Sequence, residues 1–135
     1  MTMAYWLVKS EPEVWSWDDQ VKAKVTPWDG VKNAQALNNM KAMKKGDQVF
    51  FYHSNTDRQI VGVVEVVKTF YPDPKDPKSG LVDLKAVKPV KTPVTLAQVK
   101  ADERLAHLAL VRQSRLSVMP IDAASWKILS KMAGI

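Results

Sequence analysis

Cysteine is absent from the 135-residue chain, which excludes disulfides and thiolate metal sites and suits a reducing cytoplasm. Histidine is scarce. Only His53 and His107 occur, so a zinc site would have to be completed by carboxylates. No apolar run approaches the roughly 20 residues of a membrane helix, and no N-terminal segment joins a basic start to an apolar stretch and a small-residue cleavage site. Familiar catalytic signatures are missing too: there is no Gly-Xaa-Ser-Xaa-Gly elbow, no phosphate-cradling glycine loop and no metal-binding helix pair. Repeats, low-complexity tracts and interdomain linkers are not found either. The expectation is one domain, residues 1–135, around one core, with no membrane partner and no cofactor.

What is present is an ordinary globular composition, 46% hydrophobic and 25% charged. The net charge of +6 favours an anionic partner, of which nucleic acid is the commonest. A merely solvated, lysine-rich surface is the plainer reading of the same number. Five tryptophans stand in the chain, and tryptophan packs well against flat ligands.

Ala4 to Lys9 is bulky and apolar until its last residue and predicts a strand closed by Pro12. Ser16 is placed to cap a short helix, Trp17 to Ala23, with Asp18 and Asp19 in its first turn. Thr26 to Gly30 predicts a turn. Asn33 opens a helical pattern through Ala36, Leu37, Met40 and Met43, stopped at Gly46. Gln48 to His53 and the valine-rich run Gln59 to Tyr71 predict strands joined through the turn Asn55-Thr56-Asp57, with a bend or bulge at Gly62. Pro72 to Gly80 predicts an exposed loop, and Leu81 to Val87 a further strand. Thr95 caps a helix to about Lys100, and a helical turn follows Asp102. Arg115 to Met119 predicts a short strand ended by Pro120. Asp122 caps a last helix that buries Trp126 and Leu129. Long neighbouring strands of this kind predict an α+β fold: a small, mixed, mainly antiparallel β-barrel flanked by helices.

Four segments put polar or aromatic groups at element ends, where rigid scaffolds present binding groups. They are Lys9-Ser10-Glu11, Trp28 to Asn33, Phe51 to Ser54, and Ser114 to Ser117. Converging, they would make a pocket with aromatic walls, suited to a planar heteroaromatic such as a flipped nucleobase. Each also has a plainer role. Ser10 can cap the turn at Pro12, Glu11 can pair with Lys9 or Arg115, Asn33 can cap its helix, and His53-Ser54 can simply end a strand. Trp28 reads as partly core, Trp15 and Trp126 as core. Arg112 and Arg115 can be solvated, although the apolar neighbours of Arg115 argue for a fixed role. Ser10, Glu11 and His53 can also be imagined as a hydrolytic triad, which geometry alone decides.

WLVKSEP (6–12), WDGVKN (28–33), GDQVFFYHS (46–54), IVGVVEVV (60–67), YPD (71–73) and RLSVMP (115–120) together resemble the EVE domain family, in order and over nearly the whole chain. The resemblance implies the PUA-like fold, kinship to YTH and ASCH domains, and a non-enzymatic module that reads a modified base such as methylated cytosine in DNA or RNA. The pocket it implies draws on Lys9, Ser10 and Glu11, on Trp28, Val31, Lys32 and Asn33, on Tyr52, His53 and Ser54, and on Arg115, Leu116 and Ser117. In that picture Trp28 stacks on the base, Ser10 and Asn33 bond its edge, and Arg115 and the lysines hold phosphates. Lys32 stands where many members carry arginine, so a bidentate contact is not expected there. A cytoplasmic monomer of bacterial type, working beside a restriction or modification enzyme, completes the expectation. A binder of free nucleosides or nucleotides is the first alternative, and a hydrolase of modified nucleotides that uses Glu11 or His53 is the second.

Overall fold

The computed structural model describes residues 4–55 and 58–135. Six strands form one sheet: β1 (Tyr5–Ser10), β2 (Val25–Trp28), β3 (Gln48–His53), β4 (Gln59–Asp73), β5 (Asp76–Thr95) and β6 (Val118–Ile121). The helices are α1 (Trp17–Ala23), α2 (Ala34–Ala42), α3 (Leu96–Ala101), α4 (Ala109–Arg112) and α5 (Ala123–Met132), with a 3-10 turn at Glu103–Leu105. The sheet order is β2-β5-β4-β3-β1-β6. Among the described residues only β1 and β3 run parallel; the other pairs are antiparallel. Register shifts between β4 and β5, and one between β3 and β4, bend the sheet as bulges do. The α+β, mainly antiparallel architecture is the one the sequence predicts.

Local signals act as expected at the helix starts. Ser16 and Asp19 form a reciprocal capping box, Asn33 caps α2, and Asp122 caps α5. The Gly62 bend also stands, for a packing reason. A Cβ there would lie 2.5 Å from the Trp17 ring, so only glycine lets that indole lie against the strand.

Three expectations are corrected. Val25–Trp28 is a strand, not a turn, and Pro27 is tolerated because β2 lies at the sheet edge. Pro72 to Gly80 is not an open loop. The β4–β5 hairpin continues through Pro72↔Gly80 to Asp73↔Asp76, and the Asp73 and Asp76 carboxylates accept bonds from the Lys75 and Lys78 amides. The last strand starts at Val118 and contains Pro120, again on an edge, while Arg115 to Ser117 precede it as a loop. The turn expected at Asn55-Thr56-Asp57 lies partly outside the described residues.

Successive residues of a strand face opposite sides of the sheet. Phe50 accordingly stacks on Trp126 of α5 at 3.8 Å, and Trp126 stacks on Tyr5 at 4.6 Å. Phe51, its neighbour, meets Trp17 and Trp28 edge-on at 5.4 and 5.5 Å. At the C-terminal ends of the parallel pair, Lys9 lies beside Tyr52 and Ser10 beside His53. Two polar strand ends therefore arrive together at one end of the sheet.

Candidate nucleic-acid interface

Past Ser10 the chain folds back on itself. The Val14 and Trp15 amides both donate to the Glu11 carbonyl at 2.9 Å, and the Ser10 hydroxyl donates to the Trp15 carbonyl at 2.5 Å. This compact turn carries Trp15 to the mouth of the sheet. Its indole N–H donates to the side chain of Gln20 at 3.0 Å, and fully buried Gln20 donates in turn to the Leu84 carbonyl at 3.0 Å. Trp15 is thus tied to strand β5 through one amide.

The facing wall is β2 and the loop after it. Trp28 is 7% exposed and held edge-on by Phe51. Gly30 takes a φ of 74°, which a side chain would strain, and so turns the chain back toward the sheet. Val31 is buried, and its carbonyl accepts a 2.8 Å bond from the buried Ser79 hydroxyl on β5. Between these walls lies a cleft of about 530 Å³, a volume in the range of roughly 300–1,000 Å³ usual for small-molecule sites.

Of the residues singled out in the sequence, Lys9, Ser10, Glu11, Trp28, Val31 and Ser117 line this cleft. Asn33, Arg115 and Leu116 line a second, smaller hollow of about 290 Å³. Lys32 is exposed and lines neither. Tyr52 is buried at 2% beneath Lys9, whose amine lies 5.7 Å from its ring centroid. His53 accepts a 3.0 Å bond from the Trp17 amide through Nε2, and the Ser54 amide donates to the Ser10 carbonyl at 2.9 Å. The four segments meet at one end of the sheet but divide between two depressions and a supporting layer.

Several expected roles change with that geometry. Trp15 stands at the margin of the core rather than within it: it packs against the core cluster, yet is partly exposed and lines the cleft. Asn33 spends its side-chain oxygen on the Ala36 amide at 3.0 Å, as the N-cap reading had it, and stands outside the cleft. Ser10 spends its hydroxyl proton on Trp15. The imagined triad does not assemble, since Ser10 and His53 are engaged by Trp15 and Trp17 rather than by each other. Glu11 forms no ion pair with Lys9, whose amine donates instead to the Ser114 carbonyl at 2.9 Å. Burial holds that amine below its ordinary value and raises the Tyr52 phenol above its own. Among the described residues no three His, Asp or Glu side chains converge as a metal site would require.

Sequence reading missed Asp29 and Trp15. Asp29 sits between Trp28 and Gly30 in a recognised segment, and it joins Glu11 as a second acidic residue on the cleft lining. No signal in the sequence marks Trp15, because every tryptophan carries the same indole N–H and the buried Trp6 satisfies its own with Asp47.

A sequence model of the EVE domain matches residues 4–132. The chain belongs to the EVE domain family. Thymocyte nuclear protein 1 of Gallus gallus is 36% identical to this EVE domain over 159 residues, covering 90% of this chain and 65% of that protein's own length. A Rhodopseudomonas palustris protein solved by NMR is 55% identical, covers 98% of this chain and 94% of its own, and superposes with a TM-score of 0.92. The human THYN1 protein, solved in complex with DNA containing 5-methylcytosine, is 31% identical with 98% of each chain covered and a TM-score of 0.89. This EVE domain has no helix, among its described residues, long and apolar enough to cross a membrane.

Proposed function

We propose that the chain acts as a single, non-enzymatic EVE domain that binds nucleic acid and takes one flipped, modified base, methylated cytosine or similar, into the cleft between Lys9–Glu11 and Thr26–Val31. The observation that carries this reading is the cleft itself: about 530 Å³, large enough to admit a base, and lined by Trp15 and Trp28 together with Lys9, Ser10, Glu11 and Asp29. The DNA complex of the human relative supports the ligand class. Cytoplasmic action as a monomer beside a restriction or modification enzyme is the setting that the family resemblance implies.

Recognition of the base edge falls to Glu11 and Asp29 in this reading, because Ser10 and Asn33 are otherwise engaged. A carboxylate accepts from the exocyclic amine of cytosine, whereas a keto base offers an acceptor there instead. Stacking contributes about 1–3 kcal/mol per base, and a buried methyl about 0.8 kcal/mol, so the methyl alone gives modest discrimination. Extracting a base from a duplex costs a few kcal/mol, which favours single-stranded or mismatched targets.

The test is a tryptophan-fluorescence titration with short strands that differ at one base: cytosine, 5-methylcytosine or thymine. The expected order is 5-methylcytosine, then cytosine, then thymine. Asp29→Asn should narrow the gap between cytosine and thymine while raising overall affinity, since it removes a negative charge. Equal binding of all three strands by the wild-type chain would sink the base-reading function. Binding of free 5-methylcytidine with no salt dependence, and of no strand, would instead favour the free-nucleoside reading.

A further inference from the structure

The charge of this end of the molecule is divided unevenly. The cleft lining carries one cation, Lys9, against two carboxylates, Glu11 and Asp29. A phosphate would meet net negative charge there. The adjoining hollow is lined by two arginines, Arg112 and Arg115, with Asn33, Gln35 and Ser114 beside them, and by no acidic residue. We propose that this hollow is a backbone subsite, which grips the phosphodiester next to the base that enters the cleft, with Arg112 and Arg115 as its cationic ligands. The proposal rests on the nucleic-acid reading above.

The two depressions adjoin along the chain. Leu116 lines the hollow and Ser117 the cleft; Val31 lines the cleft and Asn33 the hollow. Arg115 and Ser117 are two residues apart, a span of at most about 7 Å. That is of the order of the reach from a base to its own sugar phosphate.

Lys9 holds the arginine loop at two points, its amide donating to the Ser117 carbonyl and its amine to the Ser114 carbonyl, both at 2.9 Å. The Leu116 amide closes the loop on the Gln113 carbonyl at 3.0 Å. Arg115 is therefore presented from a tied turn. Arg112 donates through Nε to the Ala106 carbonyl at 3.1 Å, which orients its guanidinium. Neither Arg112 nor Arg115 forms an ion pair among the described residues. Planar guanidinium groups suit two oxygens of one phosphate, and no carboxylate in the hollow competes for them.

The arrangement explains why a basic protein should keep acids in its cleft. Base edge and backbone are read in separate places, so an amine-accepting pocket need not repel the strand that delivers the base. It also makes Lys9 a positioning residue that couples the two.

The experiment compares wild type, Arg112→Gln/Arg115→Gln and a control, Lys75→Gln/Lys78→Gln. The control removes the same charge from the exposed turn of the β4–β5 hairpin. Probes are a 5-methylcytosine strand at several salt concentrations, 5-methylcytidine, its 5′- and 3′-monophosphates, and inorganic phosphate as competitor. The arginine variant should lose about tenfold in strand affinity, and its log–log salt slope should become shallower by about one. Its affinity for the free nucleoside should not move. One monophosphate should bind the wild type better than the nucleoside and lose that advantage in the variant. Inorganic phosphate should compete with the strand weakly in the wild type and not in the variant. An equal loss in the lysine control would overturn the subsite in favour of a diffuse basic surface. A parallel loss of nucleoside affinity would also overturn it. Undiminished strand binding by the arginine variant sinks the subsite but leaves the base-reading function standing. A wild-type chain that binds no strand sinks both. Melting curves of the variants show whether either substitution unfolds the chain. Arg115→Gln, whose side chain makes no hydrogen bond among the described residues, repeats the test without disturbing the Ala106 contact.

Discussion

The two faces of the sheet at β3 use nearly the same materials to opposite ends. On one face Phe50, Trp126 and Tyr5 stack in a nearly parallel column, with interplanar angles of 22°. On the other Phe51, Trp17, Trp28 and His53 meet edge-to-face, between 65° and 84°. A column is closed by its own stacking and by the helix laid over it. Edge-to-face contacts anchor each ring by one side only. The indole of Trp28 is thereby fixed at its base with part of its surface left on the cleft, and Trp15 closes the opposite wall. Aromatic content does not mark a site; the angle between the rings and what covers them does.

The largest effects should separate these faces. Trp126→Ala removes the closed column and should cost about 3–5 kcal/mol of stability, as truncation of a buried aromatic does. Denaturant melts would measure it. At low temperature the residual folded protein should still bind strands with unchanged preference, because Trp126 contributes nothing to the cleft. Loss of base preference at matched folded fraction would break the division between the faces.

Next in size is Gly62→Ala. The new methyl would lie 2.5 Å from the Trp17 ring, and overpacking of that kind costs about 1–3 kcal/mol. Trp17 must move, and with it the amide that His53 accepts. This variant should therefore lose both stability and affinity. A melt lowered with affinity intact would show that the cleft does not depend on Trp17.

Ser79→Ala is smaller and more selective. It removes the hydroxyl that holds the Val31 carbonyl, worth about 0.5–1.5 kcal/mol for one hydrogen bond. The loop from Asp29 to Asn33 forms part of both depressions, so strand affinity should fall by a greater factor than the melt alone explains. Hydrogen exchange on the loop amides would report the loosening directly.

How far these features were legible in the chain follows from their range. Ser16, Asn33 and Asp122 announced their helices because a cap is decided within four residues. Gln48–His53 was legible to the residue, as an apolar run bounded by Gly46-Asp47 and by Ser54. β2 was not legible. Its four residues contain a proline, and the partner that makes them a strand lies near residue 84. Nor was the proline-rich hairpin, near whose end Tyr71 donates to Asp83 and Ser79 donates to the Val31 carbonyl of the loop after β2. Trp15 and Trp126 look alike in sequence and part company only through Gln20 and Phe50, both distant or on another element. Asn33 shows the opposite difficulty. One residue satisfied two readings, and the cap took the side-chain oxygen that the base edge would have needed.

The smallest expected effect is a change of pH on the closed face alone. Asp122 caps α5, the helix that carries Trp126, and accepts from Ser125 while lying 2.7 Å from the His107 ring nitrogen. The His107 contact is the main reason its carboxyl is held down at about 2, below an ordinary value near 3.8. A depressed carboxyl stabilises the fold above its unfolded pKa and loses that contribution as pH falls through the folded one. The stability tied to this cap should therefore be intact at pH 5 and drain away between about pH 4 and pH 2. Both side chains are about half exposed, at 56% and 47%, so solvent screening keeps the effect small. Denaturant melts of wild type and His107→Gln across that window should differ above pH 4 and converge toward pH 2. Strand affinity at pH 5 should be the same for both, since neither residue lies on the cleft or the arginine hollow. A His107→Gln chain with wild-type stability above pH 4 would show that Ser125 and the backbone amide hold the cap without the imidazole.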